Sequence, residues 1–289
     1  MDRLNKIIKY NNSIKLRVLK NNVPVSEAST LNIVTNTGHA AYIDGGFPSY
    51  IALGTGSHPE VPTVNALEKF TTMLSSSWTE IGGTVVDTTA NTISRTFQLT
   101  KVFPVEKVNR LYSEIGIVDN KQVAFTYARL RDSTGEPTTI TVLQNEQLEV
   151  AYTFTVSLPY KHVDEDSGYT CYIHNIPAPH KVRNAQWTSN ESTSYFNLFN
   201  DSLDRLESGL RPTTFSGSRK NGRYSKRNNT FSVSVATAIG AENTEYSGVF
   251  CHSPSNDSDF SFSILFDSPK AVNEDAYYNY SFTIPYLGA

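Results

Sequence analysis

Gln147-Leu148-Glu149-Val150-Ala151-Tyr152-Thr153-Phe154-Thr155-Val156-Ser157-Leu158 reads with a period of two. Leu148, Val150, Tyr152, Phe154, Val156 and Leu158 share one side, and Gln147, Glu149, Ala151, Thr153, Thr155 and Ser157 share the other. Successive side chains of a strand point to opposite faces, so this spacing predicts one long strand with an apolar face on a core and a polar face outward. Residues 92–100 repeat the pattern and put Ile93, Arg95, Phe97 and Leu99 on one face. Ile14-Lys15-Leu16-Arg17-Val18-Leu19-Lys20 does so again, and Asn21-Asn22 closes it as a turn.

The same alternation runs through the second half, in residues 169–174, 230–235, 260–266 and 279–285. Turn chemistry punctuates the first half at Gly45-Gly46, Gly54-Thr55-Gly56, Gly82-Gly83, Asp119-Asn120 and Gly135-Glu136-Pro137. With 38 % hydrophobic and only 18 % charged residues, and with 16 Tyr and 15 Phe, the composition suits half-solvated strands better than helices. The expected fold is mainly β, two β-sandwich-like domains with one short helix each. At 289 residues the chain exceeds one typical core. The acidic, turn-rich His162-Val163-Asp164-Glu165-Asp166-Ser167-Gly168 marks the boundary. The expected division is an N-terminal arm and strand over residues 1–29, a β domain over 30–162 and a second over 163–289.

Two helices are expected. Asn65 stands as a cap before residues 66–74, with Glu68 in the capping-box position and Pro62 shortly before. Phe196, Phe199, Leu203, Leu206 and Leu210 fall three or four apart, with Gly209 and Pro212 where a helix should stop.

The formal net charge is -3 and the pI about 6.1, which gives no global reason to bind nucleic acid or an anionic membrane. No stretch approaches the ~18 apolar residues that cross a bilayer, and Met1-Asp2-Arg3-Leu4-Asn5-Lys6-Ile7-Ile8-Lys9 lacks the apolar region of a signal peptide, so neither membrane insertion nor secretion is expected. With two cysteines a disulfide framework is excluded, and buried thiols at Cys171 and Cys251 are the expectation over a single bridge.

No residue is put forward as catalytic, cofactor-binding or metal-ligating, and no cofactor is implied. A hydrolytic Ser-His-Asp set has no G-x-S-x-G elbow to carry it among His39, His58, His162, His174, His180 and His252. Cys171, His174, His180, Cys251 and His252 make a zinc donor set by composition, but C-x-x-H along a strand aims its ligands at opposite faces. Asp164-Glu165-Asp166-Ser167-Gly168 and Asp257-Ser258-Asp259 are oxygen-rich turns without a complete calcium loop. The densest charge is Arg219-Lys220-Asn221-Gly222-Arg223-Tyr224-Ser225-Lys226-Arg227, expected as a flexible loop. Its Arg219, Lys220, Arg223, Lys226 and Arg227 are the residues through which DNA would be touched, although a solvated hairpin tip is the preferred reading.

Leu31-Asn32-Ile33-Val34-Thr35-Asn36-Thr37-Gly38, then Pro48-Ser49-Tyr50-Ile51-Ala52-Leu53-Gly54-Thr55-Gly56-Ser57, then Ser113-Glu114-Ile115-Gly116-Ile117 and Ala128-Arg129-Leu130 follow one another in an order with a family likeness. Over residues 30–160 this resembles a domain of bacteriophage tail-associated virion proteins. It departs from the pattern at Gly116-Ile117-Val118, which lacks the aromatic residue expected there, and in the Thr-rich stretch 83–92. The bare residues predict a tight corner at Gly54 and Gly56, since neither G-x-x-x-x-G-K-[ST] nor G-x-G-x-x-G is present.

The resemblance implies a non-enzymatic structural protein of a tail, neck or baseplate, located in the virion and assembled in the host cytoplasm. Its partners would be copies of itself and other virion proteins. The alternative is a host-glycan receptor module in residues 163–289, using their Tyr, Asn and Ser content and Trp187.

Overall fold

The computed structural model describes residues 8–44, 46–163, 170–176, 192–199, 203–210, 212, 220–227, 230–236, 244–252, 261–272 and 277–283. The strands in chain order are β1 (Lys9–Lys20), β2 (Val23–Leu31), β3 (Ile33–Val34), β4 (Tyr50–Gly54), β5 (Phe70–Ser75), β6 (Thr79–Asp87), β7 (Thr92–Val102), β8 (Arg110–Tyr112), β9 (Glu114–Val118) and β10 (Thr126–Arg129). They continue with β11 (Ile140–Val142), β12 (Gln147–Pro159), β13 (Lys161–Val163), β14 (Thr170–Asn175), β15 (Ser192–Phe199), β16 (Lys220–Arg227), β17 (Thr230–Ala236), β18 (Thr244–His252), β19 (Ser261–Val272) and β20 (Tyr277–Thr283). Helices α1 (Asn36–Asp44) and α2 (Leu203–Glu207) complete the described elements. The protein is mainly β, with several antiparallel sheets.

Strand order is β2-β1-β12-β7-β6 in one sheet, β3-β10-β9-β4-β5 in a second, β11-β8 in a third and β13-β14-β19-β18-β15-β16-β17-β20 in the last. The period of two reads through directly. Leu148, Val150, Tyr152, Phe154, Val156 and Leu158 of β12 are all buried, as are Ile93, Arg95, Phe97 and Leu99 of β7 and Ile14, Leu16 and Val18 of β1. Each large apolar side chain so buried contributes about 1.5–3 kcal/mol of transfer free energy. Asn21 and Asn22, at φ 54° and 64°, join β1 to β2 in a two-residue hairpin.

The chain divides into two compact units, one of residues 10–83 and 96–155, the other of residues 1–9, 84–95 and 156–289. In the first, Phe47 lies 4.9 Å from Phe154 and 5.9 Å from both Trp78 and Phe125, ring centre to ring centre. These aromatic contacts join β12 to the loops around β4 and β10. In the second, Tyr160 and Tyr172 pack at 5.6 Å, and the Tyr160 hydroxyl donates to the Leu206 carbonyl of α2. Lys161 Nζ and the Tyr172 hydroxyl meet Glu207 Oε1 at 2.5 and 2.7 Å.

Residues 66–74 are not a helix. Residues 70–75 are β5, paired antiparallel to β4 through Ala52↔Met73 and Leu53↔Thr72. The amides of Glu68 and Lys69, which a helix would leave for its cap, donate instead to the Glu114 carboxylate, so tertiary partners override the local signal. Gly82-Gly83 lies inside β6 rather than in a turn. Only part of the expected helix over residues 196–210 forms: Phe196 and Phe199 belong to β15, and α2 spans five residues before Gly209 at φ +84°. The helix α1 was not expected. Its signal is Thr35, whose hydroxyl accepts the Gly38 amide at 3.0 Å as an N-cap.

Candidate functional site

The first unit contains a buried carboxylate corner and, separately, an open cleft with a mixed apolar and polar lining. The corner is made where β4 runs out through Gly54-Thr55-Gly56. Thr55 N donates to Lys69 O at 3.0 Å, and Ser113 N donates to Gly54 O at 3.0 Å, which ties the loop to the start of β5 and to the residue before β9. Ser113 Oγ adds a bond to Gly56 O at 2.7 Å.

Glu114, fully buried, projects into this loop. Its Oε1 accepts the amides of Gly56 and Lys69 at 2.9 and 2.8 Å, and its Oε2 accepts the Glu68 amide and the Tyr127 hydroxyl, both at 3.1 Å. Glycine is required beside it, because a Cβ on Gly56 would stand 2.6 Å from Oε1 and 2.5 Å from the Glu68 Cβ. Burial, with the Glu114 charge beside it, raises the Tyr127 phenol well above its ordinary pKa. The Ser57 amide, donating at 2.5 Å, holds the Glu68 carboxyl below the usual carboxylate range.

Chemically this is a ring of donors whose anion is supplied by the chain itself. A phosphate would have to displace Glu114, so the corner braces the fold and is closed to ligands. The two phrases around Gly54-Thr55-Gly56 and Glu114-Ile115-Gly116 are thus one tertiary unit.

The cleft, of about 640 Å³, lies between the end of β2 with the following Asn32 and the turn at residues 131–135. Glu60 fixes the far wall. Its Oε1 accepts the Arg129 amide at 3.0 Å, and its Oε2 accepts Arg131 Nε at 3.1 Å and the Arg131 Nη2. Arg131 Nη1 donates to Gly135 O at 2.7 Å. Asp132 Oδ1 accepts Thr134 N and Oγ1 at 2.8 and 2.6 Å and Glu136 N at 3.1 Å, and these bonds hold its carboxyl below the usual range. On the near wall Asn32 Nδ2 donates to the buried Tyr152 hydroxyl at 3.0 Å, and Asn32 Oδ1 is buried with no hydrogen-bond partner. Of the cleft residues the sequence had picked out Leu31, Asn32, Ile33 and Gly135, as parts of a phrase and of a turn and not as a site. Glu60, Arg131 and Asp132 carried no local signal of their own.

The residues that were singled out lie elsewhere. Lys220, Arg223, Lys226 and Arg227 are on β16, where Arg223 stands opposite Thr193 of β15 on one side and Ser234 of β17 on the other, Lys220 opposite Phe196 of β15, and Lys226 and Arg227 opposite Phe231 and Thr230 of β17. The basic run is therefore a strand and not a flexible loop, because the alternating Thr230-Phe231-Ser232-Val233-Ser234-Val235 supplies it with a ladder partner. Arg219, His180, Trp187 and both oxygen-rich turns lie outside the described residues.

In the second unit Cys171 pairs with Ile264 and Cys251 with Phe262, on opposite sides of β19. Two strand spacings of about 4.8 Å exceed the ~7 Å Cα reach of a disulfide, so a bridge between them is excluded. Among the described residues no three His, Cys, Asp or Glu side chains converge as a metal site. His174 Nε2 bonds Ser263 Oγ at 2.8 Å, but Ser263 is fully buried and closed to a substrate. His39 Nδ1 bonds the Tyr10 hydroxyl at 2.8 Å on α1, and the His58 carbonyl accepts the Tyr127 hydroxyl at 3.2 Å.

The chain matches no known family model, no curated protein and no solved structure.

Proposed function

We propose that this protein is a structural component of a bacteriophage tail, neck or baseplate, built from two β-sandwich-like halves and making symmetric contacts with copies of itself. The observation that carries the reading is β2. It is the outermost strand of its sheet, paired only with β1 among the described strands. Val23, Val25 and Leu31 stand 60 %, 54 % and 69 % exposed along it.

An edge strand of a protein that works alone is usually blunted by charge, bulges or a cover. The first half of β2 carries such devices, namely Pro24, the register shift at Val25 and Glu27, which Lys15 and Arg17 of β1 engage at 2.9 and 3.1 Å, whereas Ala28-Ser29-Thr30-Leu31 carries no proline, shift or charge. The remaining outward edge suits strand addition by a second copy, repeated by symmetry. No helix among the described residues is long and apolar enough to cross a membrane. The host-glycan alternative in residues 163–289 rests on their Tyr, Asn and Ser content with Trp187, which lies outside the described residues, and no observation favours it there.

The test is to locate the protein in purified particles by antibody labelling and electron microscopy, and to weigh the purified chain by light scattering. The expected result is a closed oligomer and label on the tail or neck. A monomer that never appears in virions would end the proposal.

A further inference from the structure

We infer that a second copy meets β2 with its own β6, so that the two outer strands of one sheet are the two halves of a head-to-tail contact. The inference rests on the reading of β2 as a contact between copies and adds which strand fills it.

The sheet β2-β1-β12-β7-β6 ends in an outer strand on both sides. On β2 the stretch without proline, register shift or charge is residues 28–31. The cleft of about 640 Å³ opens along it, and Ser29, Thr30, Leu31, Asn32 and Ile33 line it without a gap. Successive residues of a strand point to opposite faces, so an unbroken run of lining residues places the cleft along the margin of the strand and not over one face. An added strand would lie about 4.8 Å from that margin, within this space, and pair with its main-chain groups.

The opposite margin is β6, exposed over residues 79–82, with Ile81 42 % exposed. Gly82 and Gly83 follow at φ 78° and 69°, and among the described residues nothing stands within 4 Å of where their Cβ atoms would be. Glycine inside a strand marks a bend or a place where another backbone comes close. Here the bare backbone borders open space, which admits a neighbouring chain.

Charge decides between the available partners. Strands β1 and β2 carry four basic residues, Lys9, Lys15, Arg17 and Lys20, against Glu27 alone, whereas β6 carries Glu80 and Asp87 and no base. Two β2 margins set against each other would bring like charge together, and β6 against β2 brings opposite charge together. Leu31, 69 % exposed, and Ile81 are the exposed large apolar side chains of the two stretches, and the contact takes both out of water. Two different surfaces repeat head to tail, and the series closes into a ring when the rotation between copies divides a full turn.

The experiment uses full chains carrying Leu31→Cys or Ile81→Cys, both at exposed positions, one of them with a larger affinity tag. The two variants are co-expressed, purified together and treated with a short bis-maleimide, with the parent chain and its own two cysteines as background. The expected result is a linked heterodimer, neither variant linking to itself above that background, and a ladder of linked copies from the chain that carries both substitutions. Self-linking of the Leu31→Cys chain would overturn the inference in favour of paired β2 margins and leave assembly through β2 standing. An oligomer by light scattering that yields no link in any combination would also overturn it and leave assembly standing. A chain that stays monomeric at every concentration and yields no link would end both the inference and the assembly reading beneath it.

Discussion

Glu114 Oε1 accepts the Gly56 amide at 2.9 Å across 58 residues of sequence, at a point where any side chain on Gly56 would collide with the same oxygen. The carboxylate and the missing Cβ are therefore one device. Glu114→Ala would leave the Gly56, Glu68 and Lys69 amides without their acceptor and the Tyr127 hydroxyl with the His58 carbonyl alone, and Gly56→Ala would push the carboxylate out of its ring. Each should cost about 2–4 kcal/mol, read as a lower urea midpoint with unchanged slope. A Gly56→Ala protein as stable as the parent would show that the loop yields without using Glu114.

Stability should fall on the alkaline side. Burial raises the phenols of Tyr10, Tyr112, Tyr127, Tyr152 and Tyr172, and that of Tyr160 to about 12. A group whose folded pKa is raised keeps its full contribution below the unfolded value, near 10 for tyrosine, and loses it as pH climbs toward the folded value. The urea midpoint should hold steady from about pH 8 to 9.5 and drop above about pH 10, with tyrosinate absorbance rising together with unfolding. Early titration of these phenols in the folded protein would contradict their burial.

Cys171 and Cys251 should both react as thiols once the protein is unfolded without reductant, since β19 separates their strands. Mass spectrometry after alkylation under those conditions should find two modified cysteines. An intramolecular bridge would require a different strand order.

Val25→Lys places a charge on the exposed edge of β2 and should reduce the mass measured by light scattering while changing stability by no more than about 0.5 kcal/mol. An oligomer of unchanged mass would move the contact between copies away from this strand.

Much of the fold was legible along the chain because the period of two is a local property. Residues 14–19, 92–100 and 147–158 disclose their buried faces without knowledge of any partner, and the Asn21-Asn22 turn follows from residues that tolerate positive φ. The same local windows misread residues 66–74, where the cap-like amides of Glu68 and Lys69 found their acceptor on Glu114, 46 and 45 residues away. The basic run failed similarly, since Gly222 and the neighbouring Asn residues read as a loop until β15 and β17 are placed on either side.

The sequence by itself determined that the chain is mainly β, which faces its longest strands bury and that Gly54 and Gly56 mark a corner. Only the tertiary structure decided what that corner encloses, which strand is left at the edge and which polar groups gather in the cleft. Alternation and turn chemistry act between neighbours, whereas the Glu114 ring, the β2 edge and the Asn32–Asp132 cleft depend on pairings between residues far apart in the chain, which no local pattern records.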